Sequence, residues 1–504
     1  MGRTVAALGV AMALALAVGP AAARTPDRDQ IAKIVKAQRP ATLKALQDWI
    51  ALPTIAAEKR NATAGADYMR RLALDAGFQQ AKIIPTDGVP GVFATLDSGA
   101  KTTIGIYFMY DVKQFDPAEW SSPPLEARLV PRGTEGQALV GRGAVNQKGP
   151  EIAFLAAIKA ILASGRKLPV NLVLVAEGEE EIASTHFAQV VAVPEVRDAL
   201  ARSIGVFIPT AGQDQNGSVN MTLGAKGAVE FQLIVGGETS DRYPKADVHS
   251  SNHARIENPA WRLVKALDTL VAADGHTPAI DGWFEHVRPL TDRQKQLIAE
   301  AAKPEVEAQE KKQLGIGKWI GDEPYGTSLE RFYSQPTVNI QGLVAGYTGV
   351  GGKTVLPSRA EAKLEFRLVP AMTRDEAEAK LRAHLLKRGF DDVKVVVSGG
   401  YGPNETAEDS VLVTSQKRLF AEAGIAYTIR PRNAGSWPGV IFNGPPLNLP
   451  AAQFGVGRGG GAHAPNEWLL IDSSDPKVKG LEDTTMTYVD YLYVVADEAA
   501  KRRR

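Results

Sequence analysis

The run Val170-Asn-Leu-Val-Leu-Val175 is apolar almost throughout, and it passes directly into Ala176-Glu-Gly-Glu-Glu-Glu-Ile-Ala-Ser184. A continuous apolar run of this length reads as a strand buried on both faces, which places it inside an α/β sheet rather than at a solvated surface. Three adjacent carboxylates, Glu179, Glu180 and Glu181, leave that strand. Such a cluster repels itself. A metal, a cationic side chain or protonation of one member makes it tolerable.

The flanking pattern agrees with an α/β reading. Helices are expected at residues 31–52, broken at Pro40, and at 64–76, ended by Gly77. Strand-like runs follow at 81–85, 92–96 and 103–110. An apolar helix at 151–163 then leads into the strand at 170–176. In sheets of alternating strands and helices, chemistry collects in loops beyond the strand ends. Asp111 and the Glu cluster both stand there. From about residue 224 the texture changes, with strands at 228–235, 337–343, 360–368 and 393–397 and helices from Pro259 to about residue 270 and at 374–386. Between them, 304–313 is highly charged and reads as poorly ordered. The organisation expected is a signal segment at 1–23, a catalytic unit at 24–225 completed by 402–504, and an inserted α+β unit at 226–401.

Composition narrows the function classes. The chain has 504 residues, a formal net charge of +1 and no cysteine. The near-neutral balance offers no electrostatic case for nucleic acid. Arg3, an apolar stretch over 5–18 and Ala21-Ala22-Ala23 read as a secretory leader whose apolar part is short for a membrane span. Expected here are a periplasmic or secreted mature chain without membrane insertion, and neither disulfides nor thiolate chemistry.

Several strings in chain order resemble one family. Met109-Tyr-Asp-Val-Lys-Gln-Phe-Asp-Pro-Ala-Glu-Trp120 looks like Gly-His-x-Asp-Val-x-Pro-x-x-Pro-x-x-Trp. Gly141-Arg-Gly-Ala-Val-Asn-Gln-Lys-Gly149 resembles Gly-Arg-Gly-x-x-Asp-x-Lys-Gly, and the Glu cluster resembles Glu-Gly-x-Glu-Glu-x-Gly-Ser. Asp247-Val-His-Ser250, Gly346-Tyr-Thr-Gly349, Lys353-Thr-Val-Leu-Pro357, Phe366-Arg-Leu-Val-Pro370 and His463-Ala-Pro-Asn-Glu467 also fit. The family is that of the dizinc exopeptidases and deacylases, including carnosinase, glutamate carboxypeptidase, succinyl-diaminopimelate desuccinylase and aminoacylase. The dipeptidase-like branch is the closest in look. The resemblance implies a mixed-sheet α/β catalytic domain with a smaller lid, and it allows a homodimer through that lid.

Carried over residue by residue, the resemblance implies Glu180 as general base, Asp111 as orienting residue and His249 as the group polarising the scissile carbonyl. It implies Arg367 as the grip on a substrate carboxylate, with Lys148, Asn339, Gly435 and Ser436 lining the site. The family's two metals are held by a His, a bridging Asp, a further Asp, a Glu and a late His. Met109 stands at the first of these and Asn146 at the bridge, while Pro209 or Thr210 stands where the further Asp would fall. Glu181 and His463 remain. A thioether is a poor ligand for a hard divalent ion, and a neutral amide cannot bridge two cations as a carboxylate does. The first metal site is expected to be lost. The second is left either as a weak Zn2+ or Mn2+ site on Glu181, His463 and Asn146, or without metal.

The function expected is hydrolysis of a C–N amide bond in a small carboxylated peptide or N-acyl amino acid. A metal-independent lyase or isomerase, or a non-catalytic periplasmic binder, are the alternatives left open. His186, His253, His276 and His286 default to structural or surface roles. Gly455-x-Gly457-x-x-Gly460 lacks the strand–turn–helix that a dinucleotide fingerprint needs. Gly351-Gly-Lys-Thr354 lacks the first glycine of a phosphate loop, with Tyr347 in its place.

Overall fold

The computed structural model describes residues 25–503, so the expected leader at 1–23 lies outside the described residues. In chain order the elements that matter are α1 (Arg28–Ala51), α2 (Ala62–Ala76), β1 (Gln80–Ile84), β2 (Gly91–Leu96), β3 (Thr103–Met109), α3 (Gly149–Ala163), β4 (Asn171–Glu177) and β5 (Val206–Pro209). They continue with β6 (Gly227–Gly236), α4 (Pro259–Asp268), β7 (Thr337–Ala345), β8 (Arg359–Leu368), α5 (Arg374–Lys387), β9 (Lys394–Tyr401), α6 (Val411–Ala423), β10 (Ala451–Phe454) and α7 (Leu481–Arg502).

Six strands form a mixed sheet in the order β1-β2-β4-β3-β5-β10. β3 runs parallel to β4 and β5, while β2 is antiparallel to β4. The apolar run from Val170 to Val175 leads into and forms most of β4, which is buried at every position after Asn171. α3 is apolar on nearly all sides, and α1 and α7 pack against it. A helix without a polar face has to be enclosed in this way.

A second sheet, ordered β7-β8-β6-β9, is wholly antiparallel between its neighbours and carries its own apolar core under α4 and α5. This is the inserted α+β unit, the lid. No described helix is long and apolar enough to cross a membrane.

Two local expectations are corrected. Pro40 does not break α1, which runs through it from Arg28 to Ala51. A proline inside a helix costs about 3 kcal/mol, and burial of Ile31, Val35, Leu46, Trp49 and Ile50 along one face offsets it. The charged segment expected to lack order is instead a helix, Pro304–Leu314. Proline occupies its first turn with Glu305 and Glu307, while Lys311 and Lys312 occupy its last. That arrangement complements the helix dipole.

Candidate functional site

The site begins at the ends of β3 and β4. Their parallel register sets Met109 beside Glu177, so the residues that follow each strand emerge together. Asp111, two residues past β3, accepts hydrogen bonds from the backbone N–H groups of Glu180 (3.2 Å) and Glu181 (3.0 Å). Burial, with the charge of Glu181 added, pushes the Asp111 carboxyl up to about 8.

The three adjacent glutamates part company. Glu179 turns back to the β1–β2 turn, where it accepts from Val89 N (3.1 Å) and pairs with His186 Nδ1 (2.8 Å). His186 is therefore a structural partner. Glu181 turns toward the loop before α3. Its Oε1 accepts from Asn146 Nδ2 at 2.8 Å, and its Oε2 lies 3.0 Å from His463 Nε2 and 3.6 Å from Lys113 Nζ. Glu180 lines the cavity. Burial, then the charge of Glu181, holds its carboxyl well above the usual range.

That loop is held by Glu467. Its carboxylate is fully buried, pairs with Arg142 at 2.8 Å and accepts from the backbone N–H groups of Gly143, Val145 and Asn146. The last residue of the His463 string thus positions Asn146, a role the sequence pattern did not assign.

The lid supplies the other wall. Arg367 on β8 and Tyr401 at the end of β9 both stand opposite Ala228 of β6, so the three form one row across the sheet. Residues in such a row point to one face, and the small Ala228 leaves room between the two long side chains. Arg367 Nη1 donates to Ser436 Oγ at 2.8 Å, and its Nη2 is ion-paired with Glu365. Tyr401 Oη lies 3.2 Å from Ser436 Oγ and 3.4 Å from Glu180 Oε1. These contacts satisfy one another when Arg367 donates to Ser436, Ser436 to Tyr401 and Tyr401 to Glu180. Tyr401 was missed because the β9 strand signal fades at Val397, where the run becomes Ser-Gly-Gly-Tyr.

Between these walls lies a cavity of about 320 Å³ whose lining includes Met109, Asn146, Glu180, Asn433, Gly435 and Ser436. Glu180, Asp111, Glu181, Asn146, His463, Arg367, Gly435 and Ser436 are brought together. Three expected residues are not. Lys148 is fully buried and faces away, its Nζ donating to the carbonyls of Trp49 (2.8 Å) and Leu52 (3.2 Å) at the end of α1. Asn339 is exposed on the edge strand β7, opposite Glu365. His249 is also exposed, its ring bonded to Ser251 Oγ at 2.8 Å.

Around Glu181 a metal would meet one carboxylate, one imidazole and a neutral amide, with the Met109 thioether on the cavity wall, while the carboxylates of Asp111 and Glu180 are turned to backbone N–H groups and to Tyr401. Among the described residues no group of three or more His, Cys, Asp or Glu is placed to hold an ion. Zinc is ordinarily held by three or four nitrogen, oxygen or thiolate ligands.

The sequence profile of peptidase family M20/M25/M40 matches residues 110–487, from the end of β3 through the first turns of α7. The chain belongs to that family. It is thereby placed among the peptidase hydrolases, as the motifs led one to expect. Cys-Gly metallodipeptidase DUG1 of Candida albicans is 27% identical over 386 residues, covering 74% of this chain and 76% of that protein. Beta-Ala-His dipeptidase of Homo sapiens is 25% identical over 408 residues, covering 76% and 77%. Among solved structures, an M20 family metallo-carboxypeptidase from Sulfolobus solfataricus superposes with a TM-score of 0.79 at 31% identity, covering 90% of this chain and 99% of that one. The dipeptidase Dug1p of Saccharomyces cerevisiae superposes with a TM-score of 0.80 at 22% identity over 94% and 99%, a likeness of fold.

Proposed function

We propose that this family member hydrolyses the amide bond of a small carboxylated peptide or N-acyl amino acid, with Glu180 as general base and without a two-metal centre. The observation that carries the reading is the placement of Glu180, which lines the cavity with Tyr401 Oη 3.4 Å from its carboxylate. Its raised proton affinity suits a group that takes a proton from water and returns it to the leaving amine. Ser436, held by Arg367 on the opposing wall, becomes a donor for the developing oxyanion when its hydroxyl turns from Tyr401 toward the cavity. Relatives named as Cys-Gly and Beta-Ala-His dipeptidases align over about three quarters of the chain and support a dipeptide-sized substrate.

The donor set does not fit two divalent cations. Asn146 Nδ2 faces Glu181 Oε1 as a donor, whereas the bridging position needs a shared anionic oxygen. No step is therefore routed through a metal. Exposed Ile340, Leu343 and Val344 on the edge strand β7 support a homodimer through the lid, and the leader-like residues 1–23 support a periplasmic or secreted location.

The test is turnover of a dipeptide panel that includes Cys-Gly and β-Ala-His, with and without chelator, for the wild type and Glu180→Gln. Expected are chelator-insensitive hydrolysis and a loss of about 10²–10⁴-fold in the variant, the usual contribution of a general base. Unchanged turnover in Glu180→Gln would sink the assignment.

A further inference from the structure

We infer that Lys113 supplies, from the chain itself, the positive charge that Glu181 would otherwise take from a bound divalent ion. The inference rests on the reading above that the donor set does not hold a metal pair. It names what stands in the place of that charge.

The Glu181 side chain is only 4% exposed, so an ionised carboxylate there needs partners from the protein. Three converge on it. Asn146 donates to one oxygen, His463 lies against the other, and Lys113 Nζ stands 3.6 Å from that same oxygen. Lys113 Nζ also donates to the Glu181 backbone carbonyl, so two contacts with one residue orient the ammonium. The loop carrying Lys113 is fixed immediately before it, where Val112 N donates to Thr54 O at 2.9 Å. The Lys113 side chain is 29% exposed, which keeps its charge partly hydrated while the carboxylate is dry.

At the positions of the metal ligands a single acid is left. Of the positions that the family resemblance makes acidic around the metals, Asn146 and the Pro209–Thr210 segment carry no charge, and Glu181 remains. A dication approaching Glu181 would have to displace the Asn146 amide and stand beside an ammonium. Both effects oppose binding, the second by like-charge repulsion at close range.

The experiment is calorimetric titration of the mature protein with zinc chloride, together with its metal content by elemental mass spectrometry, for the wild type, Lys113→Met and Lys113→Arg. Expected are metal far below one equivalent in the wild type, zinc affinity raised about tenfold or more in Lys113→Met, and wild-type behaviour in Lys113→Arg. Stoichiometric metal in the wild type would overturn the inference, as would a Lys113→Met variant with unchanged zinc affinity. Should Lys113→Met not fold, the double variant Lys113→Met/Glu181→Gln removes both charges and is expected to fold, with a melting temperature near that of the wild type. A double variant as damaged as the single one would count against the pairing. Zinc-dependent hydrolysis by the wild type would defeat this inference together with the metal-free part of the proposed function, and leave only amide hydrolysis by Glu180 standing. An inactive wild type that behaves as expected in the titration would do the reverse.

Discussion

Tyr401 Oη, on the last residue of a lid strand, lies 3.4 Å from Glu180 Oε1 in the loop after the central strand β4. A side chain of the inserted unit therefore touches the acid of the catalytic unit. The same hydroxyl reaches Ser436, which Arg367 holds from β8, on the far side of β6.

Replacing Tyr401 with Phe removes that donor and leaves the ring. Turnover is expected to fall about tenfold with KM little changed, the loss of one oriented hydrogen bond to a charged group. A donor to the ionised carboxylate favours ionisation, so its removal moves the acid limb of the kcat/KM profile to higher pH. A variant with unaltered profile and rate would show that the hydroxyl only fills space.

Asp111 is expected to make the stability depend on pH. Its carboxyl is pushed up to about 8, chiefly by burial, against an ordinary value of 3.8. The folded state then binds the proton more tightly than the unfolded one. This stabilising contribution is fully present below about pH 4 and is lost as the pH rises toward 8, by an amount of order 5 kcal/mol at 1.36 kcal/mol per unit. Asp111→Asn is expected to flatten the denaturation midpoint across that window. Urea melts of both proteins between pH 4 and 8 check it.

Lys148→Met tests the reassignment of Lys148 from substrate contact to scaffold. The ammonium is wholly buried, bonded to two carbonyls at the end of α1 and near Glu151. Its loss is expected to cost about 2–4 kcal/mol, because two buried carbonyls lose their donor and buried Glu151 loses a nearby positive charge. KM for substrate should stay within error of wild type. A raised KM in a protein of undiminished stability would return Lys148 to the site.

Glu467→Gln weakens a buried ion pair and three backbone hydrogen bonds around Asn146. Breaking a buried pair typically costs about 3–5 kcal/mol. The variant is expected to melt lower and to lose turnover together with stability, since the loop facing Glu181 is no longer held. Thermal melts read beside rates will show whether the two losses travel together.

The local chemistry was legible in the chain itself. The apolar run ending in Glu179–Glu181, the position of Asp111 after β3, and the strings around Arg367, Ser436 and His463 marked residues that the fold brings together, because strand burial and motif order are local properties. The two-unit architecture was legible for the same reason, as a change in element pattern near residue 224. Only the tertiary structure decided how each side chain is used. Three glutamates adjacent in sequence face three different partners, His186, Tyr401 and the Asn146–His463–Lys113 group. Lys148 points into the core rather than the cavity. Tyr401 and Arg367 meet Ser436 only because β8 and β9 flank β6 in one register at Ala228. Charge compensation in a buried site depends on distances of a few ångströms between residues hundreds of positions apart, which no local pattern encodes.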